Sequence, residues 1–91
     1  MKLKIKFLLW LSDKAGAGFE ELNFEGRDSI TLRELLVELS KLKPKLGSVI
    51  ENMLVGASEI IILVNSKTPR SLETPLRDGD EVVFMPPVSG G

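Results

Sequence analysis

Gly90 and Gly91, the last two residues, are where this sequence most directly offers chemistry. A carboxylate at a chain end is a poor electrophile, but ATP can activate it as an acyl-adenylate, which a nucleophile then attacks. Two residues without β-carbons let such an end thread a narrow channel, leave the carbonyl open and accept the φ and ψ the channel imposes. Taken alone, two glycines equally describe a frayed chain end, so their surroundings must decide. Elsewhere there is little competing chemistry, because the 91 residues include no cysteine and no histidine. That excludes thiol nucleophiles, imidazole acid–base catalysis, disulfides and Cys/His zinc sites. Asp78, Asp80 and Glu81 could form a carboxylate-only metal site, but flanking Gly79 they read more simply as a turn with solvated charges. Neither a catalytic residue nor a metal ligand is expected.

The residues behind the glycines set how they are presented. Pro86 and Pro87 lack N–H donors and hold φ at about −65°, so sheet pairing must stop there and the chain leaves stiffly. The four residues beyond, Val88, Ser89, Gly90 and Gly91, reach about 13 Å when extended. The domain division expected is a folded body over 1–87 and a flexible tail over 88–91. Glu81–Met85 reads as the last strand. With Val82 and Phe84 on one face, Val83 and Met85 lie on the other and offer apolar surface just before the tail. Met suits a surface that binds more than one partner, though Met85 could equally be capped by a neighbouring loop.

The other elements follow from periodicity. Leu3, Ile5, Phe7, Leu9 and Leu11 alternate with Lys2, Lys4 and Lys6, which predicts a strand over 2–11 with a solvated lysine face. Leu8 and Trp10 break the alternation, so the second half of that strand is expected to be covered on both sides. After the turn-rich Ser12–Gly18, alternation through Leu22 and Phe24 predicts a second strand in an antiparallel hairpin. Thr31 and Glu34 have the spacing of a capping box, followed by leucines at helical intervals up to Leu42, with Pro44 ending the helix. Leu46, Val49, Ile50, Met53 and Leu54 predict a shorter second helix, and Glu59–Val64 a buried strand. Pro69 and Pro75 keep Asn65–Pro75 a loop. The order β-β-α-(α)-β-β suits an α+β roll, with a right-handed crossover laying the last strand beside the first.

Composition narrows the function classes. A chain that is 43% hydrophobic and 27% charged suits one small globular domain and is too apolar for a disordered segment. The net charge of −1 argues against nucleic-acid binding, which needs basic surface. Lys2, Lys4 and Lys6 before Phe7–Leu11 superficially suggest a secretory leader, but the unbroken apolar run is too short and Asp13 and Lys14 interrupt it. No stretch approaches the ~20 apolar residues of a membrane span.

The segment Thr74–Gly91 resembles the end of the molybdopterin synthase small subunit family, the MoaD-type ubiquitin-like sulfur carriers. It carries Pro75-Leu76, the acidic turn Asp78-Gly79-Asp80-Glu81, the apolar strand Val82–Met85, then Pro86-Pro87-Val88, Ser89 and Gly90-Gly91. Val64-Asn65 matches a Val-Asn pair common in the family. Two features depart from the pattern: Ser12-Asp13 stands where members often have Arg-Glu, and Leu46–Glu59 is fuller than in compact members. Both bear on the choice of partner more than on the tail.

The resemblance implies a β-grasp (ubiquitin-like) fold, a mixed sheet with a main helix packed on one face. It implies that Gly91 becomes a glycyl adenylate and then a 1-thioglycine, a thiocarboxylate carrying one transferable sulfur. ATP would be consumed by a ubiquitin-activating-type adenylating enzyme, and this chain would bind no cofactor. The second partner implied is the molybdopterin synthase large subunit, in a heterotetramer that makes the dithiolene of the molybdenum or tungsten cofactor. Val83, Met85, Pro86 and Pro87 would dock both partners in turn. The resemblance further implies a cytoplasmic protein with no catalytic machinery of its own. A ubiquitin-like protein modifier, a sulfur carrier for thiamine or transfer RNA, and a passive β-grasp interaction module are the alternatives.

Overall fold

Alternation of Leu3, Ile5 and Phe7 with three lysines produces the first strand, β1 (Lys2–Phe7), in a computed structural model that describes residues 1–87. The strand stops at Phe7 and does not run to Leu11 as the alternation predicted. Leu8 and Leu9 form a corner, with Leu9 at φ 54 and ψ −135, and a short helix, α1 (Trp10–Ala15), follows. Leu11 and Ala15, four apart, turn into the core together, and Gly16 ends the helix in the left-handed region that glycine adopts most readily. Leu9 and Trp10, expected inside, are exposed. The helical spacing of Leu11 and Ala15 before a glycine outweighs the strand alternation once Leu8 and Trp10 interrupt it.

β2 (Phe19–Asn23) pairs antiparallel with β1, placing Leu22 opposite Leu3, so the expected hairpin forms with α1 filling its loop. β3 (Ser29–Thr31) leads directly into the main helix, α2 (Leu32–Leu42). Here the capping box is complete. The Glu34 N–H donates to the Thr31 hydroxyl at 3.1 Å, and the Glu34 carboxylate accepts from the Thr31 N–H at 3.2 Å. The two N–H groups before it donate to the Thr74 and Leu72 carbonyls, at 2.9 and 2.8 Å. The first turn of α2 thus gives its orphan donors to the 65–75 loop and holds that loop down. A 3-10 turn over Pro44–Leu46 then leads into α3 (Gly47–Leu54).

β4 (Ile61–Val64) pairs antiparallel with the last strand, β6 (Glu81–Met85), and β6 pairs parallel with β1. The four-stranded sheet has the order β2-β1-β6-β4. β4 is therefore an edge strand, and Ile61 is 40% exposed, which corrects the expectation of a buried strand. β5 (Pro75–Arg77), a three-residue strand not anticipated from the sequence, pairs with β3 in a small second sheet. Pro75 sits at its first position, where proline is tolerated. One buried cluster joins Leu3, Ile5, Phe7, Val82 and Phe84 of the sheet to Leu35, Leu36 and Leu39 of α2. The result is a mixed α+β sheet covered on one face by α2 and α3. No helix among the described residues is long and apolar enough to cross a membrane.

The cap predicts two measurements. Thr31→Ala should lower unfolding free energy by about 1 kcal/mol, read from urea denaturation. The Glu34 carboxyl is held below the usual carboxylate range, first by the hydrogen bond from Arg27 at 2.8 Å and then by the Thr31 N–H. A depressed folded pKa contributes stability that is complete above the unfolded value and is lost as pH falls through the folded one. Glu34→Gln should therefore destabilise at neutral pH, and the difference from the wild type should vanish in acid.

Candidate functional site at the root of the tail

Two parallel strands decide what sits beside Pro87. β1 and β6 pair Ile5 with Val82 and Phe7 with Phe84, so both strands finish at the same end of the sheet. The Leu8 N–H continues the pairing by donating to the Phe84 carbonyl at 3.0 Å. Past that bond, β1 turns into Leu9 and Trp10, and β6 runs into Pro86 and Pro87. Pro87 is exposed, whereas Pro86, expected beside it on the open approach to the tail, is buried. Pro87 also lines a groove of about 260 Å³ together with Trp10, with Val49 and Asn52 of α3, and with residues 57–60. Val88, Ser89, Gly90 and Gly91, the tail and the site of activation expected from the sequence, lie outside the described residues.

The uncovered face of the sheet has two characters. Register places Val83 between Lys6 of β1 and Leu63 of β4, Met85 opposite Ile61, and Phe19 beyond Lys6. Val83 and Met85 are half-buried there, while Val82 and Phe84 are buried on the covered face. At the start of β6 the open face is polar, with Lys6 bridging Glu81 at 3.3 Å beside exposed Lys4. Toward the tail it becomes apolar through Val83, Leu63, Met85 and Ile61. Phe19, Leu63, Ile61, Leu9 and Trp10 were not anticipated as surface residues. A run such as Ile60–Val64 looks the same in sequence whether its strand is central or at an edge. The signal for Trp10 was the Leu11–Ala15 spacing before Gly16.

The acidic turn lies at the other end of β6, about 13 Å from Met85 at ~3.3 Å per residue. Its carboxylates are engaged with the chain. Asp78 accepts from the Lys2 N–H at 2.7 Å, and Asp80 accepts from the Arg77 N–H at 2.8 Å and the Asn65 side chain at 2.9 Å. Asn65, at φ 50, accepts in turn from the Glu81 N–H at 2.9 Å. These contacts close the turn around Gly79, at φ 85, and tie it to β1 and the end of β4. Among the described residues no group of three or more acidic, His or Cys side chains is placed to hold a metal.

The "ThiS family" model matches residues 5–91. The molybdopterin synthase sulfur carrier subunit of Chlamydomonas reinhardtii is 32% identical over 89 residues, spanning 98% of this chain and all of that relative. The crystal structure of SAMP1, small archaeal modifier protein 1, from Haloferax volcanii is similar with a TM-score of 0.82 at 27% identity, covering all of both chains. A chain in the complex of subunits 1 and 2 of molybdopterin-converting factor from Helicobacter pylori has a TM-score of 0.64 at 23% identity, again over all of both chains. At that identity the last likeness is one of fold. The mixed sheet with its main helix is thus the ubiquitin-like β-grasp arrangement expected from the sequence.

The split between the faces of β6 is directly measurable. Phe84→Ala should cost about 3–4 kcal/mol, because it empties a buried site that nothing refills. Met85→Ala, on the open face, should cost about 1 kcal/mol or less. Chemical denaturation of the two variants would expose any error in the assignment of faces.

Proposed function

The chain belongs to the ThiS family, and on that premise we propose that it is a ubiquitin-like sulfur carrier that serves as the small subunit of a molybdopterin synthase. The observation that carries this reading is the arrangement at the end of β6. An apolar open face stops at Met85, Pro87 beyond it is exposed, and in sequence Gly91 is the fourth residue after Pro87, a reach of about 13 Å at most. This arrangement supports a reading in which the chain delivers an end group to a partner's active site.

In this reading an adenylating enzyme of the ubiquitin-activating type binds the body and takes Gly91 into its channel. The Gly91 carboxylate attacks the α-phosphorus of ATP, pyrophosphate leaves, and the glycyl adenylate forms. A persulfide or sulfide then attacks the carbonyl and AMP departs. When a persulfide is the donor, its S–S bond must be cleaved by a second thiol to release the thiocarboxylate. The resulting 1-thioglycine is a soft nucleophile with no side chain in its way. The large subunit of the synthase supplies the substrate pocket, and two copies of each subunit form the working heterotetramer. This chain contributes recognition and the sulfur atom, and binds no cofactor itself. Val83, Met85 and Pro87 form the docking surface that both partners use in turn.

A second reading is favoured by one observation, the likeness to SAMP1 over the whole of both chains. There the same activated glycine would be attacked by a lysine amine of another protein, leaving an isopeptide bond. The first steps are shared, and only the final nucleophile differs.

Incubation with ATP, the cognate adenylating enzyme and a sulfur donor should raise the intact mass by one oxygen-to-sulfur exchange, located at Gly91 by fragmentation. Omitting ATP should abolish it. Deleting Gly91 should leave the thermal melt unchanged and end ATP–pyrophosphate exchange. Normal exchange by that deletion variant would refute the carrier reading. Recovery of Gly-Gly remnants on lysines of other proteins would favour the modifier. Met85→Glu should weaken both partners by about 2 kcal/mol, since it puts an unpaired charge into an apolar contact; titration calorimetry reads it.

A further inference from the structure

The tail is short, and this has a consequence for whatever binds it. Four residues follow Pro87 and span about 13 Å at full extension. An enzyme that encloses Gly91 must therefore bring its own surface onto the ground around Pro87. That ground includes more than the open face. Pro87 and Trp10 line one groove, whose other walls include Val49 and Asn52 of α3, so it lies on the helix-bearing side of the sheet.

Trp10 lines this groove, and Leu9 precedes it at the corner where β1 ends. Trp10 is 45% exposed and its neighbour Leu9 63%, the second most exposed large apolar side chain after Val55 among the described residues. Leu9 is also held at φ 54, a region a leucine side chain disfavours and which persists only where the surrounding structure imposes it. Its carbonyl is used locally, accepting from the Ser12 hydroxyl at 2.7 Å, so the corner is locked with its side chain outside the core. Glu59 lines the same groove and forms no ion pair among the described residues.

Resting on the sulfur-carrier reading, we propose that Leu9, Trp10 and the groove shared with Pro87 form a second docking surface, which receives the rim of the adenylating enzyme's tail channel. The rim places an apolar side chain against Trp10 and a lysine or arginine beside Glu59. The enzyme thus grips the root of the tail from both sides of the sheet, with Met85 on one and Trp10 on the other. An exposed tryptophan in a groove is the residue type that most often anchors such contacts.

Trp10 is the one tryptophan in the sequence, so it reports on the groove without any substitution. The full-length chain labelled with fluorotryptophan should show one fluorine resonance that shifts when the adenylating enzyme and ATP are added. In ATP–pyrophosphate exchange, Trp10→Ala should raise KM for this chain about tenfold and leave kcat within about twofold, because Trp10 does not touch the reacting atoms. Glu59→Lys should raise KM as well. An unmoved resonance while Gly91 is being adenylated, or an unchanged KM in Trp10→Ala, overturns the second surface and leaves the carrier reading standing. A resonance that moves with chain concentration alone would assign the groove to a second copy. One that moves on deletion of residues 88–91 without enzyme would assign it to the tail, and either result overturns the proposal. Absence of adenylation with any enzyme of this type removes both readings together.

Discussion

Where the first and last strands run side by side, Phe7 and Phe84 stack with ring centroids 5.6 Å apart. These residues come from opposite ends of the chain, and their strands are parallel, so no hairpin can connect them. After β2 returns beside β1, the chain must cross the sheet, and α2 and α3 lie in that crossover and cover one face. Lys43, where α2 gives way to the 3-10 turn, ties the crossover down. Its ammonium donates to the Ala15 carbonyl at 2.7 Å, pairs with Glu20 at 2.6 Å, and sits 5.9 Å from the centroid of the Phe7 ring. A charge this little exposed is tolerated because its donors meet both a carbonyl and a carboxylate.

Parallel pairing also makes the two ends of β6 unlike each other. At its start, the Asp78–Asp80 turn is bound to β1 through Lys2 and to the end of β4 through Asn65. At its finish, Pro86 and Pro87 remove the donors that would continue the ladder. One end of the strand is therefore tied by hydrogen bonds, and at the other the ladder stops. Since β1 finishes at that second end too, Trp10 shares a groove with Pro87 instead of lying across the molecule from it. The covered face carries the buried core residues Val82 and Phe84, and the open face carries the half-buried Val83 and Met85.

The first turn of α2 shows how local signals acquire tertiary use. The capping box is written into Thr31 and Glu34, and it forms as that spacing demands. The neighbouring donors of Leu32 and Arg33 reach the Thr74 and Leu72 carbonyls, which no local pattern specifies. That attachment brings Pro75–Arg77 against Ser29–Thr31 and makes the small second sheet. The helix start and the short strand that follows Thr74 are thus held against each other by bonds between segments distant in sequence.

Local chemistry by itself determined the elements whose signals span adjacent residues: the lysine-faced β1, the capped leucine helix, the Asp78–Asp80 turn, the opposed faces of β6 and the two prolines that end it. The resemblance of Thr74–Gly91 to sulfur carriers was legible for the same reason, since its signature is contiguous. Tertiary structure alone decided which strand became an edge, and therefore that Ile61 and Leu63 face outward. It also decided that Pro86 is buried while Pro87 is not, and that Trp10 shares a groove with the root of the tail. Each of these depends on which segments distant in sequence lie next to one another. Alternation and helical spacing report only which side of an element is apolar, never whether another element will arrive to cover it.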